Sequence, residues 1–99
     1  MKFKVLMTIQ NPKNKTEVIE YLRFAEFYCN ENDYGNGYHL WFGNKDKDDF
    51  YEVYLDIRYN TDFDKNYPEE WLASWIYRNW SGEQGSYDVI KLTIEKMED

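Results

Sequence analysis

Hydrophobic and polar positions alternate strictly in the N-terminal segment. Between Lys2 and Gln10 the odd-numbered residues are apolar, and the even-numbered residues are polar except for Leu6. Strict alternation is typical of a strand that buries one of its faces. Asn11 and Pro12 end the pattern, so we predict a half-buried first strand that stops before them.

The apolar spacing then changes to the period of a helix. From Thr16 to about Glu31, apolar side chains recur every three to four residues, which is typical of an amphipathic helix. The predicted buried face consists of Val18, Tyr21, Leu22, Ala25, Tyr28 and Cys29. Phe27 lies nearly opposite this face. Asn14, followed three residues later by Glu17, resembles a capping box, so we predict a first helix here.

Two alternating segments follow a turn-rich break. Residues Tyr38–Phe42 predict a short strand, and Phe50–Tyr59 predict a longer one, with the charged loop Gly43–Asp49 between them. The inward positions of the longer strand are Tyr51, Val53, Leu55, Ile57 and Tyr59. We interpret the polar residues from 60 to 67 as a loop.

The C-terminal third predicts a second helix and a last strand. Pro68 at a first helical position, with Glu69 and Glu70 in the first turn, indicates a helix start. Its predicted buried stripe is Leu72, Trp75 and Ile76, with Trp71 and Trp80 on the flanks. Ser81-Gly82 ends it. In the last strand we expect Ile90, Leu92 and Ile94 to face inward.

The predicted order of elements is βαββαβ within one α+β domain of residues 1–99. Short connections and right-handed crossovers favour a ferredoxin-like two-layer sandwich, in which a four-stranded antiparallel sheet carries both helices on one face. A different spatial order of the same elements is the main alternative, since periodicity does not give strand order.

Charge changes the picture in the middle of the chain. Residues 31–70 hold eleven carboxylates and four cations, which sum to −7, the formal net charge of the whole chain. Such a surface repels phosphate backbones and attracts basic proteins. We therefore expect no direct nucleic-acid binding and a basic protein as the partner.

The aromatic content adds a second property. Twenty aromatic residues, ten of them Tyr, exceed what the centre of a small domain accommodates, because each Tyr hydroxyl needs a hydrogen-bond partner. In the predicted fold, Trp41, Phe50 and Tyr54 fall on the uncovered face of the sheet. RNA-recognition modules stack bases on this face, but here Glu52 and Asp56 accompany the rings and would repel phosphate.

No residue set specifies a reaction. Cys29 is the only cysteine, so an intramolecular disulfide is excluded, and we place it on the other side of the sheet from His39, the only histidine. Asp62-x-Asp64-x-Asn66 begins like a calcium loop but lacks the Gly and Glu that complete one. We predict no catalytic residue, metal or cofactor.

Localisation follows from what the sequence lacks. No segment resembles a secretion signal, and no apolar run approaches the roughly 20 residues that span a bilayer. We expect a cytoplasmic protein that does not bind membranes.

In size and charge the chain resembles the small acidic proteins of phages and plasmids that block restriction, CRISPR or DNA-repair enzymes. We therefore predict a protein-binding inhibitor or adaptor that imitates nucleic acid. The predicted binding residues are Tyr34, Trp41, Asp46, Asp48, Asp49, Phe50, Glu52, Tyr54, Asp56, Asp62 and Asp64. The alternatives are a homodimeric α+β domain that binds a ligand between stacked sheets and, third, a small hydrolase-type enzyme using Glu52 and Asp56.

Overall fold

The computed structural model describes residues 1–30, 37–44, 48–79 and 87–98. The elements are β1 (Lys2–Asn11), β2 (Asn14–Asn30), β3 (Gly37–Gly43), β4 (Phe50–Asp56), α1 (Glu69–Asn79) and β5 (Asp88–Met97). The five strands form one antiparallel sheet in the order β4-β3-β2-β1-β5. The ferredoxin-like prediction is therefore wrong, because these ranges contain five strands and one helix.

The predicted first helix is the 17-residue strand β2. Its odd-numbered residues point towards α1, which buries Ala25 and Phe27, whereas its even-numbered residues point to the other side of the sheet. Both faces of β2 carry apolar side chains, and this produces a spacing that resembles a helix. The many β-branched and aromatic residues of β2 favour a strand. Its backbone pairs with β1 over residues 14–26 and with β3 over residues 24–30.

The presumed capping box belongs to the β1–β2 hairpin. The Asn14 side-chain oxygen accepts hydrogen bonds from the backbone N–H and the hydroxyl of Thr16, at 3.3 and 2.7 Å. Glu17 accepts one bond from the Asn11 side chain and another from the Tyr87 hydroxyl. Both bonds lower the pKa of the Glu17 carboxyl. These polar groups therefore stabilise the end of the β1–β2 hairpin and do not cap a helix.

The core lies between the sheet and α1. It combines residues of four strands with the helix and the preceding loop: Phe3, Val5, Met7, Ala25, Phe27, Leu40, Phe42, Leu55, Phe63, Trp71, Leu72 and Ile76. The ring of Phe27 is its centre, with ring centroids 6.2 Å from Phe3, 5.6 Å from Phe63 and 6.2 Å from Trp71. Five of these twelve core residues are aromatic, and each ring buries a large apolar surface.

The start of α1 is as predicted. The helix begins at Glu69, directly after the buried Pro68, whose carbonyl oxygen accepts a hydrogen bond from the N–H of Leu72 at 2.9 Å. Leu72 and Ile76 are buried as expected, whereas Trp75 is half-buried and Trp71, predicted on the flank, is buried. The predicted helix end at Ser81-Gly82 lies outside the described residues.

The last strand departs from strict alternation. Thr8 pairs with Lys91 and Ile9 with Val89, so the register shifts at Ile90. This bulge turns Val89 towards the core and leaves Ile90 exposed, whereas Ile90 was predicted to face inward.

If β2 is a strand, two substitutions in it should reduce the free energy of unfolding by very different amounts. Phe27→Ala removes a ring that is 5% exposed, and we expect a loss of about 3–5 kcal/mol in the free energy of unfolding. Leu22→Ala removes a side chain that is 43% exposed, and we expect a loss of about 1 kcal/mol or less. Urea unfolding of both variants measures this. A helix with the predicted buried face would reverse the order.

Candidate binding face

The side of the sheet opposite α1, called the open face here, is the candidate site. It presents the even-numbered residues of β1, β2 and β4 and the odd-numbered residues of β3. No helix in the described part of the chain lies over it. Large side chains are consequently exposed there, including Phe50 at 46% and Tyr54 at 52%. Exposed apolar patches of this kind on soluble proteins mark interaction sites.

Trp41 lies between two carboxylates on this face. In the strand register Trp41 is opposite Glu26 of β2 on one side and opposite Glu52 of β4 on the other. Directly opposite residues in antiparallel strands have Cβ atoms about 4.5–5.5 Å apart. Trp41 therefore has an acidic residue directly opposite it on each of the two neighbouring strands.

An aromatic row runs parallel to this one. Tyr28, His39 and Tyr54 are opposite one another on β2, β3 and β4. The Tyr28 and His39 rings stack with centroids 5.0 Å apart, and the Tyr54 ring meets His39 edge-on at 5.3 Å. Mutual packing holds these rings in place, so the face offers an ordered aromatic surface.

On the other side of Trp41, the absence of a side chain at Gly43 leaves room for a second pair of stacked rings. Trp41 and Phe50 stack with centroids 5.9 Å apart. Gly43 is opposite Phe50, and a Cβ atom on Gly43 would lie 2.5 Å from the Phe50 Cβ and 2.6 Å from the Asp49 carbonyl oxygen. Only glycine allows this close approach of β3 and β4.

A depression of about 300 Å³ opens beside Trp41. It is lined by residues of β1, β2, β3 and β5 and by the residue after β3: Lys2, Phe3, Phe24, Ala25, Glu26, Tyr28, Trp41, Asn44 and Met97. Four of the lining residues are aromatic, Glu26 supplies a carboxylate and Lys2 supplies an ammonium group. A site of this composition suits a ligand that carries both a flat surface and a positive charge.

Two of the predicted binding acids are engaged within the chain. The Asp49 carboxylate lies 3.6 Å from the guanidinium of Arg23, which is only 8% exposed. Asp56 ends β4, and its carboxylate accepts hydrogen bonds from the side chain and the backbone N–H of Arg58, with a shortest distance of 2.6 Å. The Arg58 hydrogen bonds lower the pKa of the Asp56 carboxyl. We assign both acids to structure rather than to partner binding.

The remaining predicted residues divide between surfaces. Trp41, Phe50, Glu52 and Tyr54 come together on the open face. Asp48 accepts a hydrogen bond from the Asn44 side chain in the β3–β4 connection at 2.8 Å. Asp62 and Asp64 flank the buried Phe63, in the segment that leads to α1, so they do not belong to the open face. Tyr34 and Asp46 lie outside the described residues.

Sequence reasoning missed the contribution of β2. Phe24, Glu26 and Tyr28 reach the open face because β2 is a strand, whereas the helix prediction assigned them to a different surface. The alternating side-chain directions of a strand, applied to residues 24–28, would have placed all three on one face.

The geometry does not support a Cys-His pair, a catalytic pair of carboxylates or a metal site among the described residues. Cys29 and His39 occupy opposite faces of the sheet, and Cys29 is exposed rather than packed in the core as predicted. Burial, together with the neighbouring Cys29, raises the pKa of the Tyr38 hydroxyl on the core side. Glu52 and Asp56 are four residues apart on one strand, a separation of roughly 13 Å. Within the described ranges no cluster of metal-ligating residues occurs.

Comparison with protein-family models, with curated proteins and with solved structures found no match to this chain. In the part of the chain that the structure describes, α1 is too short to cross a bilayer and no longer apolar helix occurs.

The Gly43 contact leads to a testable prediction. Gly43→Ala places a methyl group against the backbone of β4 and the Phe50 Cβ, so we expect a loss of about 1–3 kcal/mol in the free energy of unfolding. We also expect the Trp41 ring to separate from Phe50 and its indole resonance to shift. Chemical denaturation and the NMR spectrum of the indole N–H groups measure these effects. Wild-type stability with an unchanged Trp41 signal would contradict the close approach.

Proposed function

We propose that this protein binds a basic, nucleic-acid-binding protein through the open face of its sheet and thereby occupies the surface that would hold nucleic acid. The observation that carries the proposal is the row Glu26, Trp41 and Glu52, which places an aromatic anchor between two carboxylates on a face that no described helix covers. The protein acts as an inhibitor or adaptor rather than as an enzyme.

Electrostatics and packing have separate roles in this binding. The net charge of −7 attracts a cationic surface over a distance of about 10 Å at ordinary ionic strength and accelerates encounter. The aromatic rings of Trp41, Phe50 and Tyr54 then bury apolar surface, which slows dissociation. Tyr and Trp are enriched at protein interfaces for this reason.

The same face disfavours nucleic acid as the ligand. Bases would stack on Trp41 and Tyr54, but their phosphates would then lie near Glu26 and Glu52. Phosphate contacts supply most of the affinity for nucleic acids, and carboxylates oppose them. Lys2 and Lys4 lie on β1 opposite Glu26 and Phe24, so these cations adjoin the β2 end of the row rather than its members on β3 and β4.

Charge reversal on either side of the sheet tests the proposal. The immobilised protein should retain basic nucleic-acid-binding proteins from a lysate, and high salt or added DNA or RNA should release them. With one captured protein purified, Glu52→Lys on the open face should weaken binding at least about tenfold, equivalent to about 1.4 kcal/mol. Calorimetry or surface plasmon resonance at several salt concentrations provides the measurement.

Glu70→Lys is the matched control. It makes the same change in net charge at an exposed residue of α1, on the other side of the sheet. We expect a small effect on the association rate and little change in dissociation. Equal losses for both variants, or retention that nucleic acid does not compete away, would contradict the proposal.

A homodimer is the second candidate, and one feature of β1 and β2 favours it. Leu6 and Leu22 are opposite each other on the open face and are 40% and 43% exposed. Stacking two copies through this face would bury both residues together with the aromatic rows. The ligand-binding alternative requires such a dimer.

Sedimentation velocity over a range of concentrations distinguishes the two candidates. If the open face serves a basic partner, the free protein should sediment as a monomer at micromolar concentration. A dimer that Leu22→Glu dissociates would favour the homodimer instead, because a charge at this position would be buried without a partner.

A further inference from the structure

Glu26 is a half-buried carboxylate surrounded by aromatic rings. It lines the depression beside Trp41 together with Phe24 and Tyr28, its neighbours on the same face of β2. Lys2 is opposite Glu26 in the strand register, yet among the described residues Glu26 forms no ion pair. Within the described residues the Glu26 carboxylate is thus unpaired, although Lys2 also lines the depression.

Aromatic rings and a carboxylate together select a cation. The faces of Trp, Tyr and Phe attract a positive charge, with Trp the most effective, and the attraction increases as the site is desolvated. A carboxylate adds a charge-assisted hydrogen bond. A neutral group obtains only the hydrogen bond and an anionic group obtains neither interaction, so the chemistry of the depression points to a cationic side chain.

Guanidinium fits these walls better than ammonium does. It is planar and weakly hydrated, so it stacks on an indole, and its fork of N–H groups donates two parallel hydrogen bonds to one carboxylate. An ammonium group is compact and strongly hydrated, and it gives up water less readily. Trp41 offers the flat surface and Glu26 the acceptor.

We infer that the depression lined by Phe24, Glu26, Tyr28 and Trp41 receives an arginine side chain of the basic partner. The inference rests on the proposed function for the source of the arginine. It adds the identity of the anchoring group and the place where it binds. The volume of about 300 Å³ accommodates a guanidinium with part of its aliphatic stem, against which Met97 lies at the rim.

Small probes test the depression without the partner protein. N-acetyl-arginine amide, titrated into ¹⁵N-labelled protein, should shift the Trp41 indole N–H and the backbone amides near residues 24–28. N-acetyl-citrulline amide has the same shape without the charge, and we expect it to bind about tenfold more weakly or not at all. The corresponding lysine amide should lie between the two.

Two variants assign the response to the carboxylate. Glu26→Gln keeps the size of the side chain and should reduce the response to the arginine probe about tenfold. Glu20→Gln, on the same face of β2 but outside the depression, should leave it unchanged. The amide spectrum of each variant verifies folding. An arginine response that is equal in both variants, or equal to the citrulline response, would overturn the inference.

The outcomes separate this inference from the proposed function. If a basic protein binds in competition with nucleic acid while Glu26→Gln has no effect on that binding, the function stands and the arginine site is overturned. If the arginine probe binds through Glu26 but no basic protein is retained, the guanidinium site is supported and the proposed function is overturned.

Discussion

β2 carries large side chains on both of its faces, and the rest of the structure depends on this. Its odd-numbered residues Ala25 and Phe27 complete the core beneath α1, while Phe24, Glu26 and Tyr28 reach the open face. Residues 24–26 of β2 pair with β1 on one edge and with β3 on the other, so neither set can rotate away there. One alternation therefore determines both the packing of the core and the composition of the candidate binding face.

The acidic residues have divided roles once the chain is folded. Asp49 compensates a buried guanidinium, and Asp56 shapes the turn after β4 through Arg58. Glu26 and Glu52 instead lie on either side of the half-buried Trp41. A high density of carboxylates in the sequence thus does not by itself define an acidic surface, because cations near in space neutralise part of it. The carboxylates left beside aromatic rings are the ones suited to recognition.

Sequence patterns predicted most of the elements that bury one face only, although β4 ends at Asp56 rather than at Tyr59, which is exposed. The alternation of β1 and the Pro68 start of α1 are local signals, and the structure agrees with both. The same reasoning failed for β2, because both of its faces carry apolar residues and Arg23 lies on the inward face. The two-residue period of a strand is therefore not visible in the sequence. The same holds for the candidate site. Local alternation placed Trp41 and Glu52 on the open face, whereas placing Glu26 there requires that β2 be recognised as a strand.

Backbone proton contacts of β2 provide the most direct test of this arrangement. The described fold requires interstrand nuclear Overhauser effects from β2 to β1 on one edge and to β3 on the other, including contacts between the residues around Glu26 and Trp41. Strong sequential amide–amide contacts, together with contacts from each residue to the third one following it, across residues 16–31 would indicate a helix and contradict both the core and the open face.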